Sequence, residues 1–124
     1  MDMGRLFKED DGIDEASCLP IYDNSYDFYK LVLQTFSGEI AKTTEGMKET
    51  YASGDIDNYR ILVHGLKGSG GSAGATYLVE LATKSNALIK EGNWEAAKEY
   101  HEPLLKELTR LMELIPKRLA EFKG

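Results

Sequence analysis

Cysteine, proline and long apolar runs are all scarce in this sequence of 124 residues. Because Cys18 is the single cysteine, no disulfide forms within the chain, and we expect a buried thiol and a cytoplasmic setting. A membrane-spanning helix needs about 20 consecutive apolar residues, and the chain has no such run, so no membrane association is predicted. The acidic first residues also differ from a signal peptide, which begins basic and continues apolar.

Basic residues are outnumbered as well. The chain has 15 Lys and Arg against 21 Asp and Glu, which gives a formal net charge of -6. Nucleic acid is bound mainly through Lys and Arg contacts to phosphate, so this balance argues against a nucleic-acid partner. Two histidines without nearby cysteines or an evident carboxylate cluster argue against a metal site, and we predict no cofactor in this chain.

Helical spacing is the main pattern in the rest of the chain, because alternating apolar and polar runs are absent. Apolar stripes at this spacing cover residues 26–36, 40–51, 56–73, 78–88 and 94–115. We expect Ser37-Gly38 to end the first helix and to separate it from the second. We expect Pro103 to kink the last helix or to start a new one. The connections are short, which favours antiparallel neighbours. The predicted fold class is therefore all-α, an up-and-down four-helix bundle with an additional short N-terminal helix or helices.

The predicted domain organisation is simple. Residues 1–11 form an acidic stretch without helical periodicity, and we predict a flexible N-terminal segment there. Residues 12–120 are predicted to form the bundle as one domain. No long heptad seam is left without a partner helix, so we expect a monomer.

Glycine is concentrated in one stretch, VHGLKGSGGSAGA at residues 63–75. A flexible linker is one interpretation. A phosphate-binding loop is another, but that motif requires Gly-Lys-Ser/Thr after a strand, whereas Lys67 precedes Gly68 and no strand is predicted. The apolar period continues through the stretch, at Ile56, Tyr59, Val63, Leu66, Gly70 and Ala73. A helix, ending near Gly74, is therefore the favoured interpretation.

His64 lies beside that apolar stripe and should reach solvent. Lys67 and Gly68 follow it at helical spacing, and Arg60 precedes it by one turn, so all four share one face. Gly68 and Gly71 remove side chains from beside the imidazole, which leaves room for the backbone of another protein. A neutral imidazole is a nucleophile suited to phosphoryl transfer, and Lys67 would compensate the charge of the product.

The segment HGLKGS at residues 64–69, followed by AGA at 73–75 and Leu78, resembles the H-x-L-K-G-S signature of histidine phosphotransfer (HPt) domains. The resemblance implies a four-helix bundle with His64 as the phospho-acceptor. It also implies that Lys67 supports the phosphoryl group and that Gly68 makes room for the partner. Asn86 falls where the family often has Gln or Glu facing the histidine, so with Arg60 and Gly71 it is a candidate partner-binding residue.

The same resemblance implies a function and partners. An HPt protein accepts a phosphoryl group from an aspartate of one receiver domain and passes it to another receiver's aspartate. The implied partners are response-regulator receiver domains and a hybrid sensor histidine kinase, with Mg²⁺ supplied by the receiver. No kinase activity of its own is implied.

Other interpretations stay open. The chain could be a non-phosphorylated helical adaptor that docks signalling partners, or, if a catalytic domain were present, a dimerising hairpin of a sensor kinase. His101 lies on the inner stripe of the last helix, so we expect a hydrogen-bonded residue at the edge of the core. Several aromatic residues early in the chain are expected to pack in the core, although some could rim a docking surface: Tyr26, Phe28, Tyr29 and Phe36.

Overall fold

A computed structural model describes residues 4–122 and shows six α-helices in this part of the chain. They are α1 (Glu15–Cys18), α2 (Tyr26–Ser53), α3 (Ile56–Ala73), α4 (Thr76–Lys90), α5 (Trp94–Ala97) and α6 (His101–Glu121). Turns of 3-10 helix at Glu9–Asp11, Leu19–Tyr22 and Lys98–Tyr100 connect the shorter elements. Helices α3 and α6 each pack against both α2 and α4, so the four long helices close into a bundle. The predicted all-α four-helix bundle with a short N-terminal helix is confirmed.

Local sequence explains where the long helices begin and end. The Asp55 carboxylate accepts a hydrogen bond from the Asn58 backbone N–H at 3.3 Å, which caps the start of α3. Gly74 ends the same helix in the left-handed conformation, with φ of 85°. Asn93 caps α5 by accepting a hydrogen bond from the Ala96 N–H at 3.2 Å. The end of α3 at Gly74 is the one expected from the sequence.

Helix α2 differs from the sequence-based expectation. The predicted break at Ser37-Gly38 is wrong, because α2 runs without interruption from Tyr26 to Ser53. A glycine inside a helix costs about 1 kcal/mol relative to alanine. Phe36 and Ile40, on either side of it, are both buried, and burying each such side chain contributes about 1.5–3 kcal/mol. Packing therefore outweighs the local preference.

The last predicted stripe, residues 94–115, is divided between two helices, and the second of them begins close to Pro103. A new helix was one of the two outcomes expected at this proline. Helix α6 begins at His101, so Pro103 lies in its first turn. Backbone N–H groups in a first turn have no partner within the helix, so the missing N–H of proline costs little there. The residues before His101 form α5 and a short 3-10 turn.

The N-terminal segment packs against the bundle. Leu6 and Phe7 are buried in the core, and their backbone N–H groups donate to the Glu15 carboxylate at 2.9 and 2.8 Å. The Tyr26 hydroxyl donates to the same carboxylate. This arrangement differs from the predicted flexible segment of residues 1–11, because buried side chains and a carboxylate acceptor hold it. Residues 1–3 of that segment lie outside the described part of the chain.

A buried ion pair joins the N-terminal segment to α6. The Arg118 Nε lies 2.7 Å from Asp11 Oδ2, and its Nη2 donates to Asp11 Oδ1 at 3.0 Å. Both side chains are buried, and the hydrogen bond from Arg118 lowers the pKa of the Asp11 carboxyl. Arg110 adds a hydrogen bond of 2.8 Å to the Asp11 carbonyl oxygen. The packing therefore continues across the boundary predicted after residue 11.

Candidate functional site

The glycine-rich stretch is helical from Val63 to Ala73, as the apolar period predicted, and the helix ends at Gly74. It forms the second half of α3, so the linker and phosphate-loop interpretations are both wrong for this stretch. Val63, Leu66 and Gly70 face the core, and each is buried. The remaining faces of α3 point toward solvent or toward the neighbouring helices.

His64 lies on an open face of α3. Its side chain is exposed, with Lys67 partly buried one turn later and Arg60 partly buried one turn earlier. A Cβ atom placed on Gly68 or Gly71 would meet no other atom within 4 Å. The structure therefore places five of the six predicted site residues, all except Asn86, on α3, with open space beside Gly68 and Gly71.

Gly70 has a different purpose from its glycine neighbours. A Cβ atom at this position would lie 3.0 Å from Val79 Cγ2 and 3.5 Å from Leu78 Cδ2, both on α4. The contact with Val79 would be tighter than an ordinary van der Waals distance, and that with Leu78 would be an ordinary one. Gly70 therefore permits close packing of α3 against α4, as expected from its place on the inner stripe.

Hydroxyl groups support the glycine-rich half of α3. Ser69 and Ser72 donate to carbonyl oxygens one turn earlier in the same helix, at 3.1 and 3.2 Å. The Tyr22 hydroxyl donates to the Ser72 carbonyl oxygen at 2.8 Å, and the Tyr29 hydroxyl donates to that of Ala73 at 2.7 Å. The last turn of the helix is thus held by side chains from earlier in the chain.

An apolar groove lies between α2 and the second half of α3. Its volume is about 480 Å³, and it is lined by Tyr22, Phe28, Leu31, Val32, Thr35, Phe36, Glu39, Ser69 and Ser72. On α2, Phe28 is 53% exposed and Leu31 is 63% exposed. On α3, Ile61 is 60% exposed one turn before His64. Exposed apolar side chains of this size are typical of a protein-docking surface.

Sequence reasoning identified this groove only in part. It allowed that some early aromatic residues might rim a docking surface, and Phe28 does so, whereas Tyr29 and Phe36 pack in the core as expected. Leu31, which also lines the groove, and the exposed Ile61 of α3 were missed. The available signal was that both are large apolar residues off the inner stripe of their helix.

Asn86 is not placed as the sequence suggested. It is only 4% exposed, and its side-chain Oδ1 has no hydrogen-bond partner within residues 4–122. The neighbouring Ser85 hydroxyl is likewise buried without a partner in this part of the chain. Because the Asn86 side chain is packed inside the bundle, the surface offers a partner very little of it.

His101 occupies the interior, as expected. Its ring stacks on Tyr51 with centroids 3.6 Å apart, and its Nδ1 shares a hydrogen bond of 2.8 Å with the Tyr59 hydroxyl. Trp94 packs on both tyrosines. Burial lowers the pKa of the His101 imidazole, and the charge of Glu102 opposes that shift only in part. This histidine is therefore a neutral core residue.

The described helices were compared with the requirements of a membrane span, and the chain was compared with known proteins. Across residues 4–122, no helix is both long and apolar enough to cross a bilayer. Searches of curated proteins and of solved structures gave no significant match.

A family model, described as Hpt domain, matches residues 31–115. The match covers more than half of the chain and includes the whole of α3, with His64 near its middle. Hpt domains are helical bundles that take part in histidine phosphotransfer with receiver domains and histidine kinases. The chain therefore belongs to the Hpt domain family and has a histidine phosphotransfer role in phosphorelay signalling.

Proposed function

We propose that this chain is a phosphocarrier that accepts a phosphoryl group on His64 from a receiver aspartate and passes it to another receiver's aspartate. The observation that carries the proposal is the exposed His64 imidazole on a helix face that Gly68 and Gly71 leave open. In-line transfer requires the donor and acceptor atoms to approach closely, which bulky neighbours would prevent.

The chemistry needs only a nucleophilic ring nitrogen. Its lone pair forms an N–P bond while the P–O bond to the donor aspartate breaks, and the carboxylate leaves with that electron pair. In the onward step, a carboxylate oxygen of the second receiver attacks phosphorus, and the N–P bond breaks with its electrons returning to the ring. Nothing is oxidised or reduced and no ATP is consumed, so the carrier needs no kinase activity of its own.

Two basic side chains would stabilise the phosphorylated state. Lys67 lies one turn after His64 and Arg60 one turn before, on the same side of α3. A phosphoryl group brings roughly two negative charges at neutral pH, which nearby cations compensate. Catalysis of phosphoryl transfer is largely positioning and charge stabilisation, and we assign the required Mg²⁺ to the receiver.

The groove between α2 and α3 is the proposed docking surface for the receiver. Phe28 and Leu31 offer exposed apolar area on α2, Ile61 offers it on α3 one turn before His64, and we propose that Gly71 and Arg60 extend the contact along α3. We also propose that the donor receiver belongs to a hybrid sensor histidine kinase, and that the carrier acts as a monomer in the cytoplasm.

Phosphotransfer from a labelled receiver tests this function. Wild-type protein and His64→Gln are each mixed with a panel of receivers phosphorylated with ³²P, and the label on the carrier is followed with its acid lability. We expect acid-labile label on the wild type and none on His64→Gln. Thr109→Gln, on the exposed outer face of α6, is the matched control and should behave as wild type.

Two results would contradict the proposal. Binding of receivers without any label on the wild type would favour the non-phosphorylated adaptor. Label that persists on His64→Gln would move the acceptor to another residue.

A further inference from the structure

We propose that Tyr22 is a positioning residue for His64, which it influences by holding the carbonyl end of α3. The proposal rests on the phosphocarrier function. It starts from the direct hydrogen bond of 2.8 Å between the Tyr22 hydroxyl and the Ser72 carbonyl oxygen. Tyr22 contributes no group to the transfer itself, so its effect on His64 passes through the helix.

Four successive carbonyl oxygens, the last three of α3 and that of Gly74 directly after it, each accept a hydrogen bond from residues 14–29. The donors to residues 71, 72, 73 and 74 are Cys18 Sγ at 3.9 Å, Tyr22 Oη at 2.8 Å, Tyr29 Oη at 2.7 Å and Asp14 N at 2.9 Å. The last carbonyls of a helix have no partner within the helix and are commonly left to water. In this molecule one short part of the chain supplies donors to all four.

The composition of α3 explains why such support matters. Each interior glycine costs a helix about 1 kcal/mol relative to alanine, and Gly68, Gly70 and Gly71 all lie in the last two turns. Fraying that starts at Ala73 would reach Lys67 and Gly68, which are the neighbours of His64 on the proposed transfer face. Donors at the carbonyl end oppose that fraying, and they keep the face ordered without adding side chains to it.

Tyr22 is the donor best placed to link this support to docking. Its ring stacks on Phe28 and Tyr29, with centroids 5.4 and 5.9 Å apart, and it lines the proposed docking groove together with Ser72. The hydrogen bond between Tyr22 and Ser72 is exposed, whereas that of Tyr29 is buried. A receiver seated in the groove would therefore contact the ring whose hydroxyl holds the helix that carries His64.

Tyr22→Phe tests the proposal because it removes the hydroxyl and keeps the stacked ring. The matched control is Tyr77→Phe, the same change on a half-exposed tyrosine of α4. Amide hydrogen exchange of residues 66–75 should become about two- to tenfold faster in Tyr22→Phe, the range expected for loss of one hydrogen bond. The maximal transfer rate at saturating phosphorylated receiver should fall by a similar factor. The receiver concentration for half-maximal rate should change less than twofold, and Tyr77→Phe should match the wild type in every readout.

The outcomes separate this proposal from the proposed function. Unchanged exchange at residues 66–75, or exchange that rises equally in α6, would overturn a specific role of Tyr22 in holding α3. Faster exchange with an unchanged maximal rate would overturn its positioning role. If no receiver labels the wild type, the proposed function fails, and the positioning role fails with it. The exchange data then still decide whether Tyr22 holds the helix.

Discussion

His64 and His101 lie on different helices of one bundle, the first toward solvent and the second among aromatic rings. Beside His64 the chain has Gly68 and Gly71, and nothing within 4 Å of where their side chains would be. Beside His101, Tyr51 stacks at 3.6 Å and the Tyr59 hydroxyl shares a hydrogen bond of 2.8 Å. The imidazole of His64 is therefore open to a partner, whereas the imidazole of His101 is enclosed.

In this bundle the neighbouring residues decide what each histidine can do. Exposure for transfer requires small residues on the helix face, and these weaken the helix, so outside hydrogen bonds offset the cost. Burial requires the neutral imidazole, a hydrogen-bond partner for its ring nitrogen and close packing. Around His64 the helix is less stable but a partner can reach the imidazole. Around His101 the packing is stable but the imidazole cannot be reached.

Removing each imidazole in turn should show this contrast most strongly. His101→Ala loses the stacked ring and leaves the buried Tyr59 hydroxyl without its partner, so the free energy of unfolding should fall by about 2–4 kcal/mol. His64→Ala should change it by no more than about 0.5 kcal/mol. Urea denaturation measures both. Where still folded, His101→Ala should retain phosphotransfer and His64→Ala should lose it. Equal stability losses in the two variants would contradict the assignment of a structural role to His101 alone.

Charge next to the acceptor should have the next largest effect. Lys67→Gln removes one of the two cations on the transfer face, so the equilibrium ratio of phosphorylated to unphosphorylated protein should fall about tenfold, or about 1.4 kcal/mol. Lys117→Gln, on the exposed side of α6, is the control and should leave that ratio unchanged. Quantitative transfer at fixed receiver concentration provides the measurement. Equal effects of the two variants would show that proximity to His64 does not matter.

The pH dependence of stability should report the buried histidine. Since burial lowers the pKa of His101, below the ordinary value of about 6.5 the unfolded chain binds a proton that the folded chain does not. The free energy of unfolding should therefore decrease as pH falls below about 6.5, with a slope of at most about 1.4 kcal/mol per pH unit from this group.

Denaturation between about pH 5 and 7.5 should show that slope in the wild type and in His64→Gln. It should be largely absent in His101→Gln, the variant that removes the buried imidazole. Asp11, whose carboxyl pKa is lowered by Arg118, contributes stability that is lost only at more acidic pH. A slope that survives in His101→Gln would contradict the assignment.

The smallest expected effect on stability concerns two glycines of α3, Gly68 and Gly70. Gly68→Ala places a methyl group in open space, so the free energy of unfolding should rise by up to about 1 kcal/mol while phosphotransfer slows. Gly70→Ala brings its methyl group to 3.0 Å from Val79, and the crowding should cancel the gain in helix propensity. Thermal denaturation compares the two variants. Equal stabilisation would mean that Gly70 has no packing purpose.

The sequence predicted α3 well because the signals for this helix are local. The apolar period through Val63, Leu66 and Gly70, the Asp55 cap and the Gly74 stop all lie within α3 or next to it. His64 could be placed outside that stripe by counting residues. The motif shared with the Hpt family then supplied the chemistry.

The N-terminal contacts were not predicted because their partners are distant in sequence. Asp11 and Arg118 are 107 positions apart, and the Tyr22 hydroxyl meets a carbonyl 50 positions away. No periodicity or motif encodes such a pairing. The depth of Asn86 was missed for a related reason, since a family position indicates which helix a residue lies on and not how far it is buried.

The pair formed by Asp11 and Arg118 has a mechanical consequence. Its two residues lie close to the two ends of the described chain, and every helix of the bundle falls in the sequence between them apart from the last residues of α6. Tension applied through both ends would load this pair, together with Leu6 and Phe7, before it reached α3. The helix that carries His64 is thus sheltered from pulling at the ends until the ion pair breaks.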